Sequence, residues 1–513
     1  MNNTSSNKII AKNTVLLYFR MALITLVGLY TSRVILQYLG VDDFGIYNVA
    51  GSVVALFSFL TGALGNSSSR FITVELGKIT DGDNERLISC FITTRTVHYI
   101  LAGIITIIAE TIGLWLLYTK CNIPAERMEA AMWVYQISVI TTIFNIIQIP
   151  FTALIIAHER MAIYAYVSIF DVLAKLLICY LLIISPIDKL ILYAVMLMFV
   201  QLSTLFIYRI YCTRLFDECQ FGFKLDRNFF RPLMSFSFWN LLGSLSFSAL
   251  TQGATLVMSF FFGPAIVSSR AIANQVKSHV TGFVQNFRVA INPQILKRHA
   301  AGEEESSRKL IFASTKISFY LMLVIVLPIL LEANFVLTIW LKEVPDYTTE
   351  FLQIVMMEML FFVYDVSFYQ IFQAEGRLKE NGIICPILDF VGLTVVFFIY
   401  KLGGSVLSIA WCMLILTMIQ GMIVKPILSI YLFNYRWKDY FKVYRDNIKV
   451  FFAAIIIPLT MLKYLNPSLS VNLLIIIISI SSSLISSFFL GLSKTEKTLI
   501  VEYVKRFLYK VNS

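Results

Sequence analysis

The sequence predicts an all-α polytopic membrane protein of about fourteen transmembrane helices, and three observations carry that reading. The chain of 513 residues is 58% hydrophobic and 14% charged, with a mean hydropathy of +0.77. A soluble domain has about a quarter of its residues charged, so a chain this poor in charge must turn most of its surface to lipid. Apolar runs recur from end to end, each long enough to cross a hydrocarbon core of about 30 Å. Basic loops alternate with loops nearly free of Lys and Arg, the pattern that orients membrane helices.

The first run, Thr14 to Leu39, follows the polar stretch MNNTSSNKIIAKN and lacks a small-residue cleavage site, so it reads as a retained span. Runs 44–74, 88–119, 128–156, 161–184 and 187–212 complete a set of six. A second set takes 233–262, 265–295, 310–341, 347–373, 382–400 and 404–433, and runs 448–465 and 470–492 are additional. The chain thus divides into an N-terminal six-helix bundle (1–212), a cytoplasmic linker (213–232), a C-terminal six-helix bundle (233–433) and two extra spans with a basic tail (434–513). Most loop Lys and Arg fall in GKITDGDNER, AHERM, RLFDECQFGFKLDRNFFR, KRHAAGEEESSRK, EGRLKE, NYRWKDYFKVYR and the tail, which places these segments and both termini in the cytoplasm. The net charge of +11 therefore reports topology and not nucleic-acid binding. In the tail, Ile500, Val504, Phe507 and Val511 recur at helical spacing among Lys497, Lys505, Arg506 and Lys510. That pattern reads as a helix on the anionic inner leaflet, with a docking surface for partner enzymes as the competing reading.

The seven cysteines are scattered without a C-x-x-C pair or nearby histidines at ligand spacing, so they read as buried free thiols and no metal is expected. H-E-x-x-H, G-x-S-x-G and P-loop signatures are missing, and no extramembrane segment is large enough for a soluble active site, so no enzyme is expected.

The two sets of six echo each other. Gly40-Val41-Asp42-Asp43-Phe44-Gly45 breaks the chain before the second span, and Gly263-Pro264 breaks it before the eighth. Ala157-His158-Glu159-Arg160 follows the fourth span and Ala374-Glu375-Gly376-Arg377 the tenth, with Asp171 and Asp389 at matching distances beyond. An even number of spans per copy gives the copies one orientation, as in transporters built from parallel repeats.

Charges inside spans cost a few kcal/mol each and demand a reason. Arg20, Arg33, Arg70 and Arg95 lie near span ends, from which long side chains reach the interface. Span eight is different: Arg270, Lys277 and Arg288 are separated by seven and eleven residues. At about 100° per residue they fall within roughly 20° of one line along the helix, with Asn274, Thr281 and Asn292 beside it. Such a stripe must face a wet cavity or partners; pairing with carboxylates on neighbouring helices is the competing reading. Span two carries a fainter stripe of Asn48, Ser52, Asn66 and Arg70. Among the acids, Asp171 and Lys175 are spaced to pair with each other. Glu358 and Asp365 share a face of span ten, Glu110 and Glu332 lie in spans three and nine, and Asp389 in span eleven. Each is a candidate for a coupling Na+ or H+ or, equally, a counter-ion to the stripe. Pro150, Pro328, Pro386 and Pro426 interrupt spans and are candidate kinks.

The pattern NTVLLYFRMALITLVGLYTSRVILQYLGVDDFGIYNVAGSV resembles the start of bacterial polysaccharide flippases. These form the Wzx-like branch of the multidrug/oligosaccharidyl-lipid/polysaccharide (MOP) exporter superfamily. PFTALIIAHERM, NPQILKRHAAGE and QAEGRLKENG extend the resemblance over essentially the whole chain. It implies a V-shaped, MATE-like pair of six-helix bundles around a cationic cavity. It also implies flipping of undecaprenyl-pyrophosphate-linked oligosaccharide, an O-antigen or capsule repeat unit, to the outer leaflet of the plasma (inner) membrane by alternating access. By this match Arg270, Lys277 and Arg288 are candidates for the pyrophosphate and sugar path, with Arg20, Arg33 and Arg70 as second choices. Fourteen spans match lipid II flippases, whereas many O-antigen flippases have twelve, so a lipid II flippase stays an alternative. Drug-exporting relatives favour acidic cation sites, and this chain's acids keep a cation-coupled multidrug or metabolite antiporter as another.

Overall fold

A computed structural model of the protein describes residues 25–78, 84–158, 160–341, 343–493 and 497. Among them the chain is helical, without strands. The helices, in order, are α1 (25–39), α2 (Val41–Ala55), α3 (Ser58–Leu76), α4 (Glu85–Thr119) and α5 (Ala125–Ala157). Next come α6 (Met161–Ile184), α7 (Lys189–Leu215), α8 (227–261) and α9 (Pro264–Ala300). Then follow α10 (Glu304–Leu331), α11 (Ala333–Leu341), α12 (Thr348–Ala374) and α13 (Lys379–Lys401). The last are α14 (Ser408–Phe433), α15 (Trp437–Tyr464) and α16 (Leu469–Gly491).

Ten of the described helices are long and apolar enough to cross a membrane, and the bent pair α2–α3 brings the count to eleven. The chain is therefore a multi-pass membrane protein. The other three predicted spans coincide with α1, α8 and α9, which do not pass on length and composition among the described residues. Where the sequence predicts one span over 44–74, the helix turns by 54° between α2 and α3. Phe57 N donates to Val54 O there, a shortened turn that tightens the backbone at the bend. The span predicted over 310–341 is likewise interrupted at Glu332, four residues after Pro328, whose missing N–H costs the helix a bond. Pro150 and Pro386, by contrast, sit within continuous helices. α15 starts at Trp437, before the expected 448, because Tyr440, Val443, Tyr444 and Asn447 extend a buried face at helical spacing. The tail beyond Lys497 lies outside the described residues.

The chain forms two compact units, one reaching Ser268 and including Asp389–Val406, the other made of Ser269–Leu388 and the residues from Leu407 on. Lipid is as apolar as a leucine side chain, so packing and buried polar contacts hold such helices together more than hydrophobic burial does. In the first unit α5 is the hub, touching α2, α3, α4 and α7. In the second, α12 has that place against α10, α11 and α14. These are the fourth spans of the two sequence repeats. Aromatic edges tie α15 to this hub: Tyr440 meets Phe368 at 4.9 Å between ring centroids, and Tyr444 meets Tyr364 at 5.2 Å. Such pairs contribute about 0.5–1.5 kcal/mol each beyond area burial. The serines of α16 turn mostly inward, Ser481 being exposed. Ser479, Ser482 and Ser483 are buried, and Ser482 Oγ donates to Ala454 O of α15 at 2.7 Å.

The two glycine breaks of the sequence meet inside the first unit. Gly45 rests on the backbone of Pro264 so closely that a Cβ at residue 45 would overlap the Pro264 carbonyl. Ser268 Oγ donates to Val41 O beside this contact. On the same end, Arg127 bridges Asp43 and Asp188, donating from Nε to Asp43 at 2.9 Å and from Nη1 to Asp188 at 2.6 Å. Asp188 caps α7 through the amides of Leu190 and Ile191. Although burial opposes it, the hydrogen bonds from Arg127 and these amides hold the Asp188 carboxyl below its ordinary range.

The 216–226 segment of the linker is pinned to α4. Arg95 does not reach out to the interface as the sequence suggests: it is buried, and Nη2 donates to Gly222 O at 2.8 Å. Its guanidinium lies 5.4 Å from the Phe221 ring. Thr93 and Thr96 hydroxyls accept from the amides of Asp226 and Lys224. The linker backbone thus supplies the carbonyl that lets a charged side chain stay inside.

Candidate functional site

The second unit gathers the charged residues of α9, α12 and α14. α9 begins at Pro264, pre-set for the first helical position, and continues for 37 residues. Its stripe stays on one side along that length. The stripe faces α12, whose acids are spaced by seven and so share a face.

Lys277 Nζ lies 2.7 and 2.8 Å from the two carboxylate oxygens of Glu358, and Thr417 Oγ1 of α14 donates to the same carboxylate at 3.2 Å. One turn or more further along, Arg288 Nη2 donates to the Val366 carbonyl at 2.7 Å. With its amide turned so that the oxygen faces Arg288, Gln370 accepts from Arg288 Nε and Nη2 at 3.1 Å each and donates to Asn292 Oδ1 at 3.3 Å. Val366 and Gln370 both sit on α12, so Arg288 is held by polar groups and not by a carboxylate. Arg270, at the other end, is buried with Nη2 3.8 Å from Met413 Sδ of α14.

Asp365 pairs with Lys425 of α14, whose Nζ also donates to the Asp365 carbonyl at 2.9 Å. The close approach of the two helices at this level rests on Gly421. A Cβ there would lie 2.7 Å from the Asp365 backbone nitrogen, so any larger residue would push α14 off α12. A π-turn at Gln420–Val424 precedes Lys425; such turns recur at functional sites. Among the described residues of these three helices, Lys277 pairs with Glu358 and Lys425 with Asp365, while the buried Arg288 is held by a carbonyl and an amide.

The structure thus brings together Lys277 with Glu358, Arg288 with Asn292, and Asp365 with a lysine the sequence reading passed over. Lys425 announces itself in sequence, since it is a lone base in an apolar run. Asn274 is half-buried on the stripe. The other candidates lie in the first unit. Glu110 sits in a π-turn of α4 and accepts from Gln136 Nε2 at 3.0 Å. Asp389 is buried on α13, Arg33 is half-buried and Arg70 is exposed. Asn66 lies on α3, and Arg20 falls outside the described residues. Asp171 pairs with Lys175 at 2.7 Å, as its spacing predicts. Six of the seven cysteines are buried, and all are free. Among the described residues no cluster of His, Cys, Asp and Glu could hold a metal ion.

This helix order matches solved membrane transporters over nearly the whole chain. A lipid II flippase MurJ in an inward closed conformation superposes with a TM-score of 0.70 at 14% identity, over 92% of this chain and 97% of that one. A MOP superfamily transporter from Pyrococcus furiosus, reported with a reversed polarity of its binding pocket, gives 0.53 at 12% identity over 80% and 95%. An outward-facing multidrug resistance MATE family transporter of the MOP superfamily gives 0.52 at 13% identity over 81% and 96%. The fold is that of the MOP superfamily. A model of the polysaccharide biosynthesis protein family matches residues 10–297, 288 of the 513, and the chain belongs to that family. No curated protein sequence matches it.

Proposed function

We propose that the protein flips undecaprenyl-pyrophosphate-linked oligosaccharide, an O-antigen or capsule repeat unit, from the inner to the outer leaflet of the plasma membrane by alternating access. Both termini lie in the cytoplasm on this reading. The observation that carries it is the basic stripe of α9 inside the second unit, with the buried Arg288 held by neutral groups of α12, in a member of a polysaccharide biosynthesis family. Net positive charge inside a membrane protein is costly unless an anion offsets it. A pyrophosphate supplies that anion, and Arg and Lys hold phosphate oxygens by charge-assisted hydrogen bonds. In this scheme the pyrophosphate takes Lys277 from Glu358, and the carboxylate so released is neutralised by H+ or Na+, which couples transport to an ion.

The test is a deletion strain in which lipid-linked sugars are extracted and assigned to a leaflet. Complete undecaprenyl-linked oligosaccharide should accumulate on the cytoplasmic side while surface glycan is lost. Intact surface glycan without accumulation would remove the proposal.

A further inference from the structure

The first unit contains a cavity of about 280 Å³ between α2, α5, α7 and α8. It is small against the ~300–1,000 Å³ of drug-sized ligand sites, a size for one sugar ring and not for a chain. Its polar lining comes from Asn48 and Ser52 on α2, Ser138, Thr141 and Thr142 on α5, and Gln252 on α8, with no charged residue among the lining groups. Tyr47 supplies an aromatic wall, itself packed against Tyr193 at 4.9 Å between centroids.

The hydrogen bonds already made inside this wall show what it can offer. Ser52, Ser138 and Thr141 donate to carbonyls of their own helices (2.7, 2.8 and 2.8 Å), so each hydroxyl oxygen keeps acceptor capacity toward the cavity. Asn48 Nδ2 donates to Phe44 O at 2.7 Å and leaves its amide oxygen to accept. Among the described residues the Thr142 hydroxyl and the Gln252 amide have no hydrogen-bond partner. Gln252 also belongs to a π-turn, Ala249–Gly253, which turns it out of the regular helical register. Both the Thr142 and Gln252 side chains are half-buried at the cavity, so their donors and acceptors stand open to a ligand rich in hydroxyls. With no fixed charge, it offers nothing to a phosphate or an ammonium group. Neutral donors and acceptors around an aromatic face are the chemistry that recognises a sugar.

We propose that this cavity is a subsite for one neutral sugar residue of the transported glycan, and that Asn48, Thr142 and Gln252 set which sugar is accepted. The inference rests on the flippase reading and adds specificity to it: the bases of the second unit take the common pyrophosphate, and this pocket reads the variable glycan.

The experiment measures binding of purified full-length protein in nanodiscs to two probes, undecaprenyl diphosphate alone and the same lipid bearing a neutral disaccharide. Wild type should bind the glycosylated probe about tenfold more tightly, since a site built for hydroxyls discriminates against a ligand that lacks them. Gln252→Leu and the isosteric Thr142→Val should erase that preference while keeping the affinity for the bare diphosphate. The subsite is overturned if either well-folded variant keeps the full preference, or if both probes weaken equally. Wild-type protein that binds neither lipid would instead overturn the flippase reading on which the subsite rests.

Discussion

Lys277→Ala should abolish surface polysaccharide, for two separable reasons. Among the described residues the lysine is the one partner of opposite charge for Glu358, and the carboxylate is almost wholly buried at 6% exposure. Removing one member of a buried pair costs about 3–5 kcal/mol, because the other charge stays behind unneutralised. Part of the loss would then be misinsertion and not failed transport. The double variant Lys277→Ala/Glu358→Gln removes both charges and keeps the Thr417 hydrogen bond to residue 358, so it should return the protein to the membrane at wild-type levels. Transport should remain roughly 10- to 100-fold down, the effect of the ~1.5–3 kcal/mol that a hydrogen bond to a charged group contributes. The measurement is surface glycan normalised to membrane-inserted protein. Recovery of glycan together with insertion would show that Lys277 serves only to neutralise Glu358.

Gly45→Ala is the second large effect, and it falls on stability. A methyl group at residue 45 cannot be accommodated by rotating a neighbouring side chain, because the atoms it meets are the carbonyl and Cα of Pro264. Overpacking against flexible groups costs about 1–3 kcal/mol; against backbone the two helix starts must separate, taking the Ser268 to Val41 bond and the Arg127 bridge with them. The control is Gly51→Ala in the same helix, where a Cβ meets nothing within 4 Å. Thermal unfolding in detergent should show the position-45 variant well below wild type and the position-51 variant beside it. Equal midpoints would mean the two breaks do not depend on each other.

Much of the fold was legible because lipid leaves few options. Every predicted run except the first, which begins before the described residues, coincides with helix over most of its length. What the runs could not show is where a span bends without proline, as at Leu56 and Phe57, since a tightened turn between apolar residues leaves no mark in composition. The stripe on α9 was legible from spacing alone, because a charge in a membrane is rare enough to be informative. Its partners were not: a face says which way a base points, and only the packing of α12 and α14 decides that Lys277 meets an acid and Arg288 a carbonyl. Arg95 was misread because distance from a span end cannot reveal a linker that folds back with a carbonyl to offer. Thr142 and Gln252 were invisible for a plainer reason. Uncharged polar residues are common in membrane helices, and only the cavity singles them out.

The most direct test of the account is reconstitution. Purified protein is placed in liposomes holding undecaprenyl-diphosphate oligosaccharide in both leaflets, and the fraction reached by a membrane-impermeant sugar oxidant outside is followed over time. Wild-type protein should expose the inner-leaflet pool, while liposomes with Lys277→Ala/Glu358→Gln should show only the outer-leaflet pool on that timescale. An inner pool that stays protected with wild-type protein, supplied with an ion gradient of either sign, would contradict the account.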